Sequence, residues 1–287
     1  MKNLKTPLRY PGGKSRATKF LLPKFPKQIT DYREPFIGGG SVAIAFTKEY
    51  PGISVWVNDL YNPLFVFWVI LRDEVDGLYE ILKGYKEDLG SVPDKKADKK
   101  ELEEYYNKGR ELFDQMKIEL NHEESEDLYR AAAFYVINKC SFSGLTESSS
   151  FSGQASISNF SMKGIENLKE YSKLIKNWKI TNLSYEHMLD GTSDTFIYLD
   201  PPYDIRDNLY GNKGEMHKKF DHDLFAKRMD CCQSKCLISY NSSLCVRDRF
   251  KQWEASTYEL TYTMRSVGNY MDDQKDRAEL LLFNYDL

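Results

Sequence analysis

Long apolar runs are missing from this chain. The most apolar stretch, Pro63 to Leu71, is far shorter than the roughly 18 residues a membrane-spanning helix needs. The N-terminus carries no apolar leader of the secretory kind. Neither a membrane partner nor secretion is expected, and the chain reads as intracellular, cytoplasmic or nucleoid-associated. Metal-binding patterns are also wanting. His122, His187, His217 and His222 are scattered. Cys231, Cys232 and Cys236 come closer, but no paired CxxC and no neighbouring His completes a tetrahedral site. Their spacing suits one buried face of a helix ahead of the apolar run Cys236 to Ser239. No metal is expected. The odd count of five cysteines fits a reducing compartment. A complete phosphate loop is missing too. Gly12-Gly13-Lys14-Ser15 lacks the earlier glycine at the required spacing, and the turn ending in Gly40-Ser41 has no lysine. Neither segment reads as an ATP site, which weakens a phosphoryl-transfer reading.

Acids are absent from the first 27 residues, where the charges are Lys2, Lys5, Arg9, Lys14, Arg16, Lys19, Lys24 and Lys27. They gather instead between Asp73 and Asp127. The net charge of −3 therefore hides an asymmetry, with one face suited to phosphates and one solvated. A hydrophobic fraction of 41% over 287 residues supports the core of an α/β enzyme with an insertion.

The order of elements is legible in outline. Ile29 to Glu34 reads as a strand, Phe36 to Gly40 as a glycine turn, Ser41 to Lys48 as a helix, and Ile53 to Val57 as a second strand ending at Asn58-Asp59. This opens a doubly wound nucleotide-binding sheet. From Pro63 to about Arg130 the pattern is mostly helical, with Ser91 to Lys100 as an exposed loop. Ala131 to Asn138 is an apolar helix end. Ser141 to Phe160, rich in Ser and Gly, reads as a long loop of the functional kind. Strands resume at Lys179 to Tyr185, Thr195 to Leu199, Cys236 to Tyr240 and Glu279 to Tyr285. The sheet is thus split in sequence: residues 1–60 and 166–287 form one domain, and 61–165 a helical insertion.

The chemistry concentrates in Asp200-Pro201-Pro202-Tyr203, directly after the apolar strand Thr195 to Leu199. A carboxylate at the carboxyl end of a strand is where α/β sheets put their ligands. The two prolines stiffen the backbone and remove two N–H donors. The arrangement suits an amino group on a flat ring. The carboxylate and the Pro201 carbonyl can each accept one amine N–H, drawing the nitrogen lone pair out of conjugation, and the Tyr203 ring can stack on the base. Gly38 and Gly40 allow positive φ and close backbone approach in Arg33 to Ser41. Asp59, ending the next strand, can accept from both ribose hydroxyls of a nucleoside. In Leu8-Arg9-Tyr10-Pro11-Gly12-Gly13-Lys14 the lysine can face a carboxylate or a phosphate.

Together these segments resemble the Dam-like family of DNA adenine N6-methyltransferases over nearly the whole chain. Leu8 to Lys14 is similar to the family's N-terminal cofactor motif. Glu34-Pro35-Phe36-Ile37-Gly38-Gly39-Gly40-Ser41 resembles its Glu-Pro-Phe-x-Gly-x-Gly-Ser loop, Asp200 to Tyr203 its catalytic tetrapeptide, and Asp276 to Tyr285 its closing strand. The resemblance implies a class I, Rossmann-like methyltransferase sheet with an inserted, mainly helical target-recognition lobe. It implies S-adenosylmethionine as methyl donor, held by Tyr10, Lys14, Phe36, Gly38, Gly40, Asp59 and Asp200. Asn138 to Leu145 resembles the family's recognition segment, so Arg9, Asn138, Lys139, Ser141 and Ser143 become the expected contacts to double-stranded DNA. Ser143 stands where Asn is common, and Thr146 to Ser149 replace the usual continuation. The resemblance therefore carries the chemistry but not a GATC target.

The expected reaction is methyl transfer to N6 of an adenine flipped from duplex DNA, by a monomer that shares its target site with a cognate restriction endonuclease. The same cage would serve cytosine N4, an RNA base or a protein glutamine. A DNA-binding protein without catalysis is the reading of a different class.

Overall fold

The computed structural model describes residues 4–10, 12–93, 98–142, 144, 149–203, 220–259 and 278–286. Lys2, Pro11, residues 94–97 of the Ser91 to Lys100 loop, Ser143, Leu145, Thr146 to Ser148, His217, Asp276 and Arg277 lie outside them.

Seven strands form one sheet. They are β1 (Asp31–Glu34), β2 (Ser54–Asn58), β3 (Lys179–Thr181), β4 (Thr195–Leu199), β5 (Lys235–Asn241), β6 (Glu254–Glu259) and β7 (Ala278–Phe283). Their order across the sheet is β3-β2-β1-β4-β5-β7-β6. The first five pair in parallel; β7 enters antiparallel between β5 and β6. The order reverses between β1 and β4, where an open α/β sheet leaves its ligand crevice. Parallel strands in the middle of such a sheet are covered on both faces, which is why β4 reads Thr-Phe-Ile-Tyr-Leu without a polar face. All five of its residues are buried. Phe196 and Tyr198 join one apolar cluster, and Ile197 and Leu199 the other.

Among the described residues the helices are α1 (Thr18–Leu21), α2 (Ser41–Glu49), α3 (Asn62–Asp73), α4 (Val75–Asp88), α5 (Lys99–Asn121), α6 (Asp127–Cys140), α7 (Gly153–Ser158), α8 (Met162–Glu166), α9 (Leu168–Ile175), α10 (His222–Asp230) and α11 (Leu244–Arg249). Helices α3 to α9 all lie between β2 and β3 in sequence, so the helical stretch runs past residue 165 through α9. In α5, Tyr105, Gly109, Leu112, Phe113, Met116 and Leu120 form a buried stripe at helical spacing. Its acids Glu101, Glu103, Glu104, Glu111 and Asp114 are exposed, which makes the acidic stretch a solvated face. Asp98 caps α5 by accepting from the Glu101 amide at 2.9 Å.

Four features differ from the sequence reading. The Ser141 to Phe160 stretch is not loop throughout: α7 interrupts it, capped by Ser152, which accepts from the Ala155 amide. Its fixed points are packing contacts with α5 and α6, which a Ser-rich sequence does not announce. The three cysteines do not share a helix face. Cys231 ends α10 and is exposed, Cys232 is half-buried, and Cys236 is buried in β5. Strand β6 was not anticipated, because Glu-Ala-Ser-Thr-Tyr-Glu has no apolar alternation and is defined by its pairing to β7. Finally, the basic N-terminal stretch is not a single face for phosphates: Lys5, Arg16, Lys19 and Lys27 are exposed, but Lys14 is buried.

Candidate active site

Two crevice walls meet at the carboxyl edge of the sheet. The first is the glycine turn after β1. Gly38 has φ +48° and Gly40 φ +69°, the left-handed region that L side chains rarely adopt. Space is the second constraint. A Cβ on Gly38 would lie 2.9 Å from the Tyr10 ring, and one on Gly40 2.6 Å from the Trp68 ring. Tyr10 therefore packs directly onto the turn. Asp59, just beyond β2, accepts from the Gly38 amide at 3.0 Å through Oδ2 and from the Tyr61 amide at 3.0 Å through Oδ1. Burial pushes its carboxyl up to about 6, against the pull of the Tyr61, Gly38 and Leu60 amides. Phe36 stands beside the turn within an aromatic group, 5.6 Å from Tyr185 and 5.9 Å from Phe220 between ring centres.

The second wall is the segment after β4. Asp200 Oδ1 lies 2.8 Å from Lys14 Nζ, and the same ammonium donates to the Tyr203 hydroxyl at 2.8 Å and to the Gly12 carbonyl at 3.3 Å. Pro201 is buried; Pro202 and Tyr203 are half-buried. Burial raises the Asp200 carboxyl to about 6; Lys14 opposes that rise and Glu279 adds to it. For Lys14, burial works against the ammonium, yet Asp200, Glu279 and Glu34 outweigh it and the lysine sits above its ordinary value. Glu34, at the end of β1, is held far above the carboxylate range by burial, with Asp200 and Asp59 adding to the rise and the Tyr32 hydroxyl, 2.6 Å away, lowering it. One buried carboxyl thus feels both walls.

The residues expected at DNA form a third group. The Arg9 guanidinium donates to the Ser141 carbonyl at 2.6 Å and the Phe142 carbonyl at 3.0 Å. Asn138 is fully buried. Its Oδ1 accepts from the Arg9 amide at 2.9 Å, and its Nδ2 donates to the Arg9 carbonyl at 2.7 Å and the Gly144 carbonyl at 2.9 Å. Ser141, also buried, accepts from the Gly144 amide at 3.0 Å. These bonds tie the segment before Lys14 to the end of α6. Lys139 lies 5.1 Å from the centre of the Tyr135 ring. Burial, and then Arg9, bring it down to about 8. Phe142, which the sequence reading passed over, is 65% exposed on this tied segment.

A family model described as D12 class N6 adenine-specific DNA methyltransferase matches residues 10–265. The chain belongs to that family. Adenine-specific DNA methylation is its activity, which decides among the amines that the Asp200 to Tyr203 cage left open. The methyltransferase is similar to the Type II methyltransferase M.MjaIII of Methanocaldococcus jannaschii, 26% identical over 97% of this chain and 98% of that protein. It is also similar to M.CviBI of Paramecium bursaria Chlorella virus NC1A, 20% identical over 98% of this chain and 100% of that protein. M1.LlaDCHI of Lactococcus lactis subsp. cremoris is 23% identical over 99% of this chain and 96% of that protein. The sheet is accordingly a Rossmann-like methyltransferase sheet. Membership implies S-adenosylmethionine as the methyl donor in general terms. Among the described residues no helix of the methyltransferase is long and apolar enough to cross a membrane.

The sequence reading missed two more members of this site. Glu279, buried on β7, accepts from the Tyr203 hydroxyl at 2.5 Å. Tyr240, on β5, stacks on the Tyr203 ring with centres 5.9 Å apart. The signal for Glu279 was its acid in an otherwise apolar strand.

Proposed function

We propose that the enzyme takes its methyl group from S-adenosylmethionine bound against the glycine turn and delivers it to an adenine extruded from duplex DNA at Asp200. The observation that carries this reading is the pairing of Lys14 with Asp200 beside Tyr203, next to a glycine turn bonded to Asp59. The crevice fits a nucleoside. A side chain at Gly38 or Gly40 would collide with the Tyr10 or Trp68 ring, so the turn stays bare. Asp59 accepts backbone amides through both oxygens, and a carboxylate's roughly four lone-pair sites leave capacity for a ribose hydroxyl beyond the three amides. Tyr10, Phe36, Gly38 and Gly40 line the remainder.

The bound donor supplies an electrophilic methyl carbon on a sulfonium. Asp200 and the Pro201 carbonyl accept the two amine N–H groups and expose the nitrogen lone pair. Lys14 keeps Asp200 in its anionic form, which is the form that accepts. Tyr203, already packed on Tyr240, extends that aromatic stack to the base. A paired adenine cannot reach this cage, so the base must leave the helix.

Residues 61–165 act as the target-recognition lobe, and 1–60 with 166–287 as the catalytic domain. Arg9, Asn138 and Ser141 shape the recognition segment, from which Lys139 approaches the DNA; Ser143 stays a contact on the family resemblance alone. The names of the relatives favour a restriction-modification role, with a cognate endonuclease acting on the same site, in a monomeric enzyme of the cell interior. The test is a duplex carrying 2-aminopurine at the target position, once sequencing of methylated DNA has located the site. Fluorescence should rise on binding, and Tyr203→Ala should change that rise. No rise at a confirmed site would point to a single-stranded substrate.

A further inference from the structure

Strand β7 reads Ala-Glu-Leu-Leu-Leu-Phe. Alternation puts Glu279 on the face of Leu281 and Phe283, both members of the main apolar cluster. That position calls for an apolar side chain, and a buried carboxylate there is costly unless it is hydrogen-bonded. Topology explains its place. Because β7 runs antiparallel to β5, with Glu279 opposite Asn241, its first residues lie at the edge where the parallel strands end. That is the edge occupied by Asp200.

The Tyr203 hydroxyl donates to Glu279 Oε2 at 2.5 Å and accepts from Lys14 Nζ at 2.8 Å. Lys14 is 3% exposed and Glu279 4% exposed, and Tyr203 is half-buried between them, so both bonds are largely shielded from bulk water. The ring is held separately, stacked on Tyr240 at an interplanar angle of 26°. We propose that Glu279 is a positioning residue for methyl transfer: it holds the Tyr203 hydroxyl against Lys14 and so fixes the place of the ring, already stacked on Tyr240, that receives the target base. This rests on the reading of Tyr203 as the base-facing ring. Glu279 touches no reacting atom; it acts through Tyr203 and through the lysine that also serves Asp200. A charge-assisted bond of this kind is among the stronger hydrogen bonds, and its effect should appear where the base must be held in line.

The test compares single-turnover transfer rates and cofactor dissociation constants for wild type, Glu279→Gln, Tyr203→Phe, the double variant and Tyr203→Ala. Glu279→Gln and Tyr203→Phe should each slow transfer by about tenfold or more, the loss expected for one hydrogen bond to a charged group. Cofactor affinity should stay within about threefold. The double variant should be no slower than the slower single, because both changes act on the same contact: Glu279→Gln removes its charge and Tyr203→Phe its donor. Glu279→Gln within about twofold of wild type, or losses that multiply in the double variant, would overturn the proposal. Should Glu279→Gln fail to fold, Tyr203→Phe removes the same bond from outside the sheet, and a wild-type rate for it overturns the proposal equally. A wild-type rate for Tyr203→Ala would instead sink the reading of Tyr203 itself.

Discussion

Lys14 and Asp200 meet at 2.8 Å, one from the N-terminal glycine turn and the other from the end of β4. The lysine is what restrains a carboxyl that burial has already raised to about 6. If the anionic form accepts the amine, activity should fall as pH drops through about 6 in the wild type. Lys14→Met removes the opposing charge, so the Asp200 carboxyl should rise further and the acid limb should move to higher pH. A rate–pH profile of single-turnover transfer checks this. An unmoved limb would show that Lys14 does not set the charge of Asp200.

Asp59→Ala should weaken S-adenosylmethionine binding by about tenfold or more, since two charge-assisted hydrogen bonds are lost. In the wild type the affinity should also decline as pH falls through about 6, because protonation removes an acceptor from a carboxyl that burial has raised to that value. Calorimetric titration across pH measures both effects.

The parallel part of the fold was legible because each of its signals is local. A strand, a glycine turn, a helix and an acid follow one another from Ile29 to Asp59, and Asp200 stands directly after an unbroken apolar strand. What was not legible depends on distant partners. Strand β6 has no apolar face and is a strand because β7 pairs with it. Helix α7 is a Ser-rich segment placed by contacts with α5 and α6. Lys14 could be seen as facing a carboxylate or a phosphate, but not which. In sequence Glu279 reads as one more residue of a closing strand, and only the fold brings Tyr203 beside it. Asn138 was expected at DNA, and its buried amide is bonded to Arg9 and Gly144.

Gly40→Ala should destabilise the fold. The backbone there is left-handed, which costs an L residue roughly 1–2 kcal/mol, and the new Cβ would sit 2.6 Å from the Trp68 ring. A loss of about 2 kcal/mol or more is expected in urea unfolding, with Gly52→Ala as the control for positive φ alone, since nothing lies within 4 Å there. Equal losses at both positions would show that the Trp68 contact is not a constraint.

Lys139 should lose charge as pH rises through about 8. If it contacts phosphate, DNA affinity should fall over that range, and Lys139→Ala should weaken all sequences evenly and reduce the salt slope by about one. If it reads a base, Lys139→Ala should cost roughly 1–3 kcal/mol at one position of the site and relax preference there. Binding titrations on cognate and scrambled duplexes at several salt concentrations separate the two. No change in either quantity would place recognition elsewhere in the lobe.

The most direct measurement of the catalytic assignment is nucleoside mass spectrometry of unmethylated duplex DNA incubated with S-adenosylmethionine and either wild type or Asp200→Ala, with both proteins shown to be folded. Wild type should produce N6-methyladenine. Asp200→Ala should lower its rate by at least about 10² to 10³, the loss typical of removing one preorganised polar partner. N4-methylcytosine as the product, or an Asp200→Ala rate within about tenfold of wild type, would contradict the assignment.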